Sequence, residues 1–141
     1  AFFRCRSLQK ILIPPSVVRI GKDVFSNCNS LKELLIPSSV LSIGNFNFEN
    51  CYSLEQISFS PSLHCFGDIN FALCRKIAHI SIPSSIKEIK KRAFSGCSSL
   101  VNIILPSSLT KIEMFVFFKM HIISKNWNTS FCYWNSKESF L

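Results

Sequence analysis

Apolar residues recur along this chain with a period of 23 residues, and each apolar position keeps its place within the repeat. The unit reads L-x-x-I-x-I-P-x-S-V-x-x-I-G-x-x-x-F-x-x-C, and five copies are nearly complete. Self-similarity at a fixed period of about 20–50 residues is typical of stacked repeats, in which each unit packs on its neighbours. The pattern therefore predicts a repeat solenoid.

Two apolar positions that lie two residues apart predict a short strand. In the first copy they are Ile11 and Ile13, which would share one face while residue 12 takes the other. The proline that usually follows cannot donate a ladder hydrogen bond, so the strand ends there. The V-x-x-I step, Val17 to Ile20 here, allows a second short extended stretch or a turn. We therefore predict one short parallel β-strand per turn, with short helical turns and loops on the outer side.

The central strands of neighbouring repeats should pair with one another. They lie around residues 33–36, 56–59 and 79–82. Because equivalent strands of stacked repeats run in the same direction, about 5 Å apart, we expect them to form one parallel sheet.

A phenylalanine and a cysteine three residues apart close each copy, a spacing that suits one helical turn with a single inward face. Asn27, just before the cysteine, can adopt the left-handed conformation that ends such a turn, whereas Leu73 does so only at a cost. We therefore expect this cap to differ between copies. The predicted structural core ladder consists of Phe25, Cys28, Phe48, Cys51, Phe71, Cys74, Phe94 and Cys97.

Five of the seven cysteines, beginning with Cys5, share this one position and would point the same way in successive turns. Parallel Cβ vectors give poor disulfide torsions, and a buried free cysteine behaves as a small hydrophobe. We therefore expect a buried column of inert thiols without a metal. Cys65 lies outside the column, in register with Arg19 and Glu88, and is expected to be exposed.

The repeat resembles the BspA-like class of leucine-rich repeats, whose pattern continues A-F-x-x-C-x-x-L. The match covers residues 1 to about 123 and is close from Leu31 to Leu54. Asn47 and Asn70 stand where that family has a small residue, so we expect those turns to pack less tightly. The resemblance implies a curved, non-enzymatic solenoid of the surface or secreted proteins of mucosal bacteria and parasitic protists, used in adhesion.

The outward strand positions would form the concave side of such a solenoid, and we name them the strand face. Three of them, Leu12, Leu35 and Ile104, are apolar where the solenoid's own core gains nothing, which indicates a partner-binding surface. A β-forming residue also suits a strand without any partner. The strand face consists of Lys10, Leu12, Glu33, Leu35, Gln56, Ser58, His79, Ser81, Asn102 and Ile104.

These features favour a protein-interaction module of a surface or secreted adhesin that binds a host or other cell-surface protein. An intracellular repeat scaffold using the same face is the first alternative. The second is a basic surface that binds an anion, either glycan or nucleic acid, because the chain has 16 Lys and Arg against 8 Asp and Glu.

Most of the basic residues are spread over different repeat registers, which is typical of solvated loops. The densest run is short and has no interleaved aromatic residues for base stacking, which argues against nucleic acid. Its candidate anion contacts are Lys87, Lys90, Lys91 and Arg92.

The sequence offers no catalytic, metal-binding or cofactor-binding set, and we predict no enzyme activity. The histidines, His64, His79 and His121, have no ligand spacing to one another or to Cys65. His64 and Cys65 are neighbours, and neighbours on an extended chain point in opposite directions. The sequence also has no apolar stretch of about 18 residues that could span a membrane.

The chain starts in mid-repeat, so we expect further repeats on its amino-terminal side. After Ile123 the register is lost, because Asn126 and Asn128 occupy strand-core positions. We therefore divide the chain into about five and a half repeats over residues 1–123, the first of them partial, and a divergent cap or tail over residues 124–141. Asn128 also begins a glycosylation sequon, which permits secretion.

Overall fold

The computed structural model describes residues 1–120, which form a solenoid of short parallel strands. Equivalent residues of successive turns pair 23 positions apart, as Leu34 does with Ile57. The repeat solenoid predicted from the sequence is confirmed. The strands of the described part are β1 (Arg19–Ile20), β2 (Glu33–Leu35), β3 (Ser42–Ile43), β4 (Gln56–Ser58), β5 (Cys65–Phe66), β6 (His79–Ser81), β7 (Glu88–Ile89), β8 (Asn102–Ile104) and β9 (Lys111–Ile112).

Each complete turn contains two strands, one more than predicted. β2 and β3 belong to one repeat, and the second strand ends at the inward position of the V-x-x-I step, Ile43. The outer side consists of tight turns, and residues 1–120 contain no helix. The Cys28 N–H donates to the Phe25 carbonyl over 3.1 Å, a bond that spans three residues and is not continued into a helix.

The phenylalanine column forms the spine of the core. Neighbouring ring centroids lie 5.2–6.2 Å apart and the ring planes are within 14° of parallel. Phe48 and Phe71, in the middle, are fully buried, whereas Phe2 at the end is only partly buried. The stacked rings are Phe2, Phe25, Phe48, Phe71, Phe94 and Phe117.

From β1 to β9, the hydrogen-bonded ladder is interrupted at one junction between successive turns. β2 pairs with β4 and β6 pairs with β8, but β4 and β6 are not hydrogen-bonded to each other. The second strands show the same interruption between β5 and β7. The prediction of one sheet through residues 33–36, 56–59 and 79–82 was therefore wrong at the second of its two junctions.

Two residues in each turn adopt the left-handed backbone conformation. One series lies before the cysteine position, and Leu73 belongs to it with φ of +63°. The expectation that this cap differs between copies was therefore wrong, because stacking imposes one backbone path on all turns. The first series is Arg4, Asn27, Asn50, Leu73, Gly96 and Lys119, and the second is Asp23, Phe46, Ile69, Arg92 and Phe115.

Ile69 carries the clearest strain, because it is a β-branched residue at φ of +57°. The left-handed conformation costs an L-residue about 1–2 kcal/mol, and asparagine adopts it more readily. We expect Ile69→Asn to raise the free energy of unfolding by about 1 kcal/mol in urea titrations. Ile69→Ala, which keeps the Cβ, should bring little gain. A less stable Ile69→Asn chain would mean that the contacts of this side chain outweigh the backbone strain.

Candidate functional site

The strand face lies in solvent along the exposed sides of β2, β4, β6 and β8, except for Lys10 and Leu12, which lie in a segment without a strand. The strand predicted at Ile11 and Ile13 was therefore wrong, because within residues 1–120 the only backbone hydrogen bond that joins this segment to the β2 turn runs from the Lys32 N–H to the Gln9 carbonyl. Alternation along each strand turns the middle residue inward and its two neighbours outward. The apolar members of the strand face are widely exposed, with 81% of Leu12, 64% of Leu35 and 55% of Ile104 accessible to solvent. The polar members of the strand face are exposed as well, except Asn102, which is half-buried.

Ion pairs between neighbouring turns lie on and beside this face. Lys10 and Glu33 are 2.7 Å apart, and Lys76 and Glu55 are 3.4 Å apart. The hydrogen bond between Lys10 and Glu33 raises the pKa of Lys10 and lowers the pKa of Glu33. Such exposed pairs add little stability, but they neutralise the charge next to the apolar positions.

Two depressions open onto the strand face. The smaller, about 310 Å³, is lined by Gln9, Lys10, Lys32, Glu33, Glu55 and Gln56. The larger is a cleft of about 710 Å³ beside β4 and β6, at the interruption of the ladder. Three members of the strand face, Gln56, Ser58 and His79, meet in this cleft. Its lining consists of Glu55, Gln56, Ile57, Ser58, Lys76, Ala78, His79 and Ser99.

The basic run is partly neutralised by its surroundings. Lys90 pairs with Glu88 and lies 3.5 Å from Glu113, so this cation faces two carboxylates. The hydrogen bond from Lys90 is also the main cause of the lowered pKa of Glu88. Arg92 stacks over the Phe115 ring at 5.5 Å. Of the four candidate anion contacts, Lys87, Lys91 and Arg92 are exposed and Lys90 is half-buried.

Two buried asparagines form a ladder that the sequence analysis missed. The Asn47 Nδ2 donates to the carbonyls of Gly21 and Gly44 over 2.6 and 2.9 Å. The Asn70 Nδ2 donates in the same way to Gly44 and Gly67, over 2.9 and 2.7 Å. Both side chains are fully buried. The expectation of looser packing at these turns was wrong, because each amide binds backbone groups that the turn leaves open.

The amide oxygens extend the same ladder in the other direction. Val24 N–H donates to the Asn47 Oδ1, and the Asn47 N–H donates to the Asn70 Oδ1, both over 3.0 Å. Glycine three residues before each asparagine allows this close approach, since a Cβ on Gly44 would lie 2.8 Å from the Gly21 carbonyl. The spacing G-x-x-N in successive repeats is the sequence signal for this ladder.

The cysteines form a second ladder. Burial raises the pKa of Cys28, Cys51, Cys74 and Cys97. For Cys51 and Cys97 the pKa rises to about 12. The expectation for Cys5 was wrong: it is exposed, because within residues 1–120 no turn packs in front of it. Each buried thiol donates to a phenylalanine carbonyl of the turn before, with Cys28 on Phe2, Cys51 on Phe25, Cys74 on Phe48 and Cys97 on Phe71, over 2.9–3.2 Å.

Among the cysteines of residues 1–120, we expect the two exposed thiols to react with iodoacetamide far faster than the four buried ones. Cys5 and Cys65 are open to solvent, whereas a thiol with a pKa of about 12 holds almost no thiolate at pH 8. Mass-spectrometric mapping of alkylated peptides from the folded chain measures this, with the urea-unfolded chain as control. Equal alkylation of buried and exposed cysteines, or stoichiometric zinc uptake, would contradict the buried thiol ladder.

Other sequence predictions fall outside these surfaces. Within residues 1–120, no group of three or more His, Cys, Asp or Glu side chains is arranged to hold a metal ion. The same part of the chain has no helix of the length and apolarity that crossing a membrane requires. His121, Asn128 and the whole of 124–141 lie outside the described residues.

Similar solved structures are leucine-rich repeat proteins of bacteria. The T. pallidum protein is 35% identical with a TM-score of 0.66 over 68% of this chain and 45% of its own. The Bacteroides ovatus protein is 29% identical with a TM-score of 0.70, covering 79% and 34% respectively. A leucine-rich cell surface protein of Faecalibacterium prausnitzii is 26% identical with a TM-score of 0.57, covering 75% and 35%. The chain thus spans less than half of each of these proteins.

No curated protein matches this chain. The family model for the BspA type leucine rich repeat region does match, in six copies, over residues 1–123 and 66–140. The same 23-residue spacing appears in the sequence repeat and in the strand register. The chain therefore belongs to the BspA-type leucine-rich repeat family.

Proposed function

We propose that this chain is a protein-interaction module of a surface or secreted adhesin, and that it binds a protein partner through the strand face. The observation that carries the proposal is the exposure of Leu35 on β2, of Ile104 on β8, and of Leu12 at the equivalent position of the first repeat. Leucine-rich repeats are generally protein-interaction modules, and the similar solved structures include a cell surface protein. Both facts support the proposal.

The exposed apolar side chains and paired charges of the strand face suit a protein interface better than a surface that stays in solvent. Full burial of one such side chain by a partner contributes about 1.5–3 kcal/mol, whereas its exposure adds nothing to the solenoid core. The charges nearby are paired, as Lys10 is with Glu33, so a partner meets little unpaired charge beside the apolar positions. An apolar centre with a polar rim is the usual anatomy of a protein interface.

A cell-binding assay tests the proposal directly. The fluorescently labelled chain is incubated with intact mucosal epithelial cells, and binding is measured before and after removal of surface proteins with trypsin. We expect trypsin to abolish binding, and the triple variant Leu12→Ser, Leu35→Ser, Ile104→Ser to weaken it at least about tenfold, which corresponds to about 1.4 kcal/mol.

A matched variant on other exposed apolar positions serves as the control. Val18→Ser, Leu41→Ser and Met114→Ser change side chains that are 41–49% exposed and lie off the strand face. This control should bind like the wild type. Equal loss in the two triple variants would reject the strand face, and trypsin-resistant binding would reject a protein partner.

Two alternatives have their own readouts. Binding to an anion through the basic run would weaken steeply between about 50 and 200 mM salt, and Lys87→Ala with Lys91→Ala would reduce it. An intracellular scaffold would escape surface biotinylation of intact cells that produce the protein, whereas an adhesin would be labelled.

A further inference from the structure

The interruption of the ladder leaves specific backbone groups unpaired. At a regular junction the Glu55 N–H donates to the Lys32 carbonyl over 2.8 Å, and the Val101 N–H donates to the Ala78 carbonyl over 2.9 Å. The equivalent bond at the interruption, from the Ala78 N–H to the Glu55 carbonyl, is not formed in the described structure. Glu55 and Ala78 both line the cleft between β4 and β6.

The row of second strands lacks a backbone hydrogen bond at the same junction. The His64 N–H donates to the Leu41 carbonyl over 2.9 Å, and the Thr110 N–H donates to the Lys87 carbonyl over 2.8 Å. At the junction that lies between these two, within residues 1–120, the Lys87 N–H is not hydrogen-bonded to the His64 carbonyl. Both strand rows therefore open at the same junction.

The outer turns stay joined at that junction. The Phe71 N–H donates to the Ala93 carbonyl and the Leu73 N–H to the Ser95 carbonyl, each over 2.8 Å. The Cys97 thiol adds a bond to the Phe71 carbonyl over 2.9 Å. The backbones of the two halves are thus hydrogen-bonded along the outer turns and not along the strands, which is the geometry of a hinge. On the strand side the links between the halves are made by side chains, the Lys76–Glu55 ion pair and the bond from the Ser85 hydroxyl to the Leu63 carbonyl.

The sequence of the turn before the interruption explains the separation. Phe59 and Phe66 replace aliphatic residues that fill the same two core positions in the other complete repeats. Their ring centroids are 6.3 Å apart, and each ring also packs edge-on against Phe71 at 5.8 Å. Extra volume in a packed core is relieved by displacement of the backbone.

A change of repeat type occurs at the same junction. Gly44 and Gly67 lack a Cβ, and one added to Gly44 would lie 2.8 Å from the backbone of Gly21 in the turn before. Lys90 is the first residue in this column that carries a Cβ. Stacking the Lys90 turn as closely as the glycine turns would bring that Cβ against the backbone of Gly67.

We propose that this junction is a hinge, at which the strand side of the solenoid opens and closes about the bonded outer turns. The hinge divides the strand face into two blocks, with Leu12 and Leu35 on one and Ile104 on the other. The cleft between β4 and β6 changes width as the blocks move. The spacing of the apolar positions on the strand face is therefore adjustable.

Amide exchange and relaxation dispersion on the full chain test the hinge. We expect the Ala78 and Lys87 amides to exchange with deuterium at least about tenfold faster than the Val101 and Thr110 amides, since unpaired amides are unprotected. Hinge motion on the microsecond-to-millisecond scale should also give dispersion confined to residues 55–66 and 78–90. Equal protection of Ala78 and Val101, or dispersion that is absent or spread evenly along the chain, would overturn the proposal.

A variant that restores the regular repeat provides the second arm. Phe59→Ile, Phe66→Ile and Lys90→Gly together should slow exchange of the Ala78 amide at least about tenfold and remove the dispersion, while the Glu55 amide is unchanged. A folded variant with wild-type exchange and dispersion at Ala78 would overturn the proposal. If this variant does not fold, the dispersion profile of the wild type decides the matter alone.

Discussion

Asn70→Asp is expected to destabilise the folded chain by about 3–5 kcal/mol at pH 7, the usual cost of an uncompensated buried charge. The substitution preserves shape but replaces the Nδ2 donor, which lies 2.9 and 2.7 Å from the carbonyls of Gly44 and Gly67, with an oxygen. Three oxygens would then face one another in a fully buried site. Urea unfolding at pH 7 measures the loss of stability.

The defect of this variant should depend on pH. Burial among carbonyls raises the pKa of the introduced carboxyl in the folded state above its unfolded value of about 3.9. The folded state therefore binds the proton more tightly, so the destabilisation relative to wild type is smallest below about pH 4 and grows as pH rises. Asn102→Asp, at a half-exposed strand position, is the control and should change stability by less than about 0.5 kcal/mol.

A loss that does not change between pH 4 and pH 7 would contradict the buried-charge explanation. Equal destabilisation by Asn70→Asp and Asn102→Asp would show that the ladder adds nothing beyond an ordinary surface amide.

Phe48→Ala should lower the free energy of unfolding by about 3–5 kcal/mol, the range for removal of a fully buried aromatic ring. Phe48 is fully buried, with the Phe25 ring at 5.8 Å and the Phe71 ring at 5.2 Å on either side. Collapse of the turns around the vacated space is limited, because backbone bonds hold the neighbouring repeats in register. Urea unfolding measures the change.

Phe2→Ala is the matched control at the end of the stack. Phe2 is only partly buried and contacts the Phe25 ring at 5.7 Å, so its removal should cost about 1 kcal/mol. Stability of a stacked array depends on nearest-neighbour contacts, which are fewer at an end. Equal losses from the two variants would mean that the central ring gains no stability from its second neighbour.

Positions that recur in every repeat were predictable from the sequence. Phe48 and Cys51 recur at the 23-residue period, and both are fully buried, as the pattern indicates. The outward placement of Leu35 follows from alternation along a strand whose inward neighbours are apolar. Periodicity is informative here because stacking forces the same environment on equivalent residues.

The structural features that the sequence did not predict arise where neighbouring turns differ or impose conformations on each other. Leu73 adopts a left-handed backbone because stacked turns share one path, although its own preference opposes it. In the sequence Asn70 looks like a polar residue that fits the core poorly, because the sequence does not show that the carbonyls of Gly44 and Gly67 lie beside it. Phe59 looks like a conservative replacement in one repeat, and only its packing against Phe71 reveals the extra volume.

The asparagine ladder restricts how such an array can be lengthened or shortened by unequal recombination. Asn47 bonds to Gly21 of the preceding repeat as well as to Gly44 of its own, so a repeat that carries asparagine depends on the one before it. Duplicating the 44–66 unit next to itself preserves that dependence. Transplanting it behind the Lys90 repeat would place it after a turn that has a Cβ in the glycine column. The repeats have equal length but are not interchangeable, so we expect tandem duplication to be tolerated at some junctions and not at others.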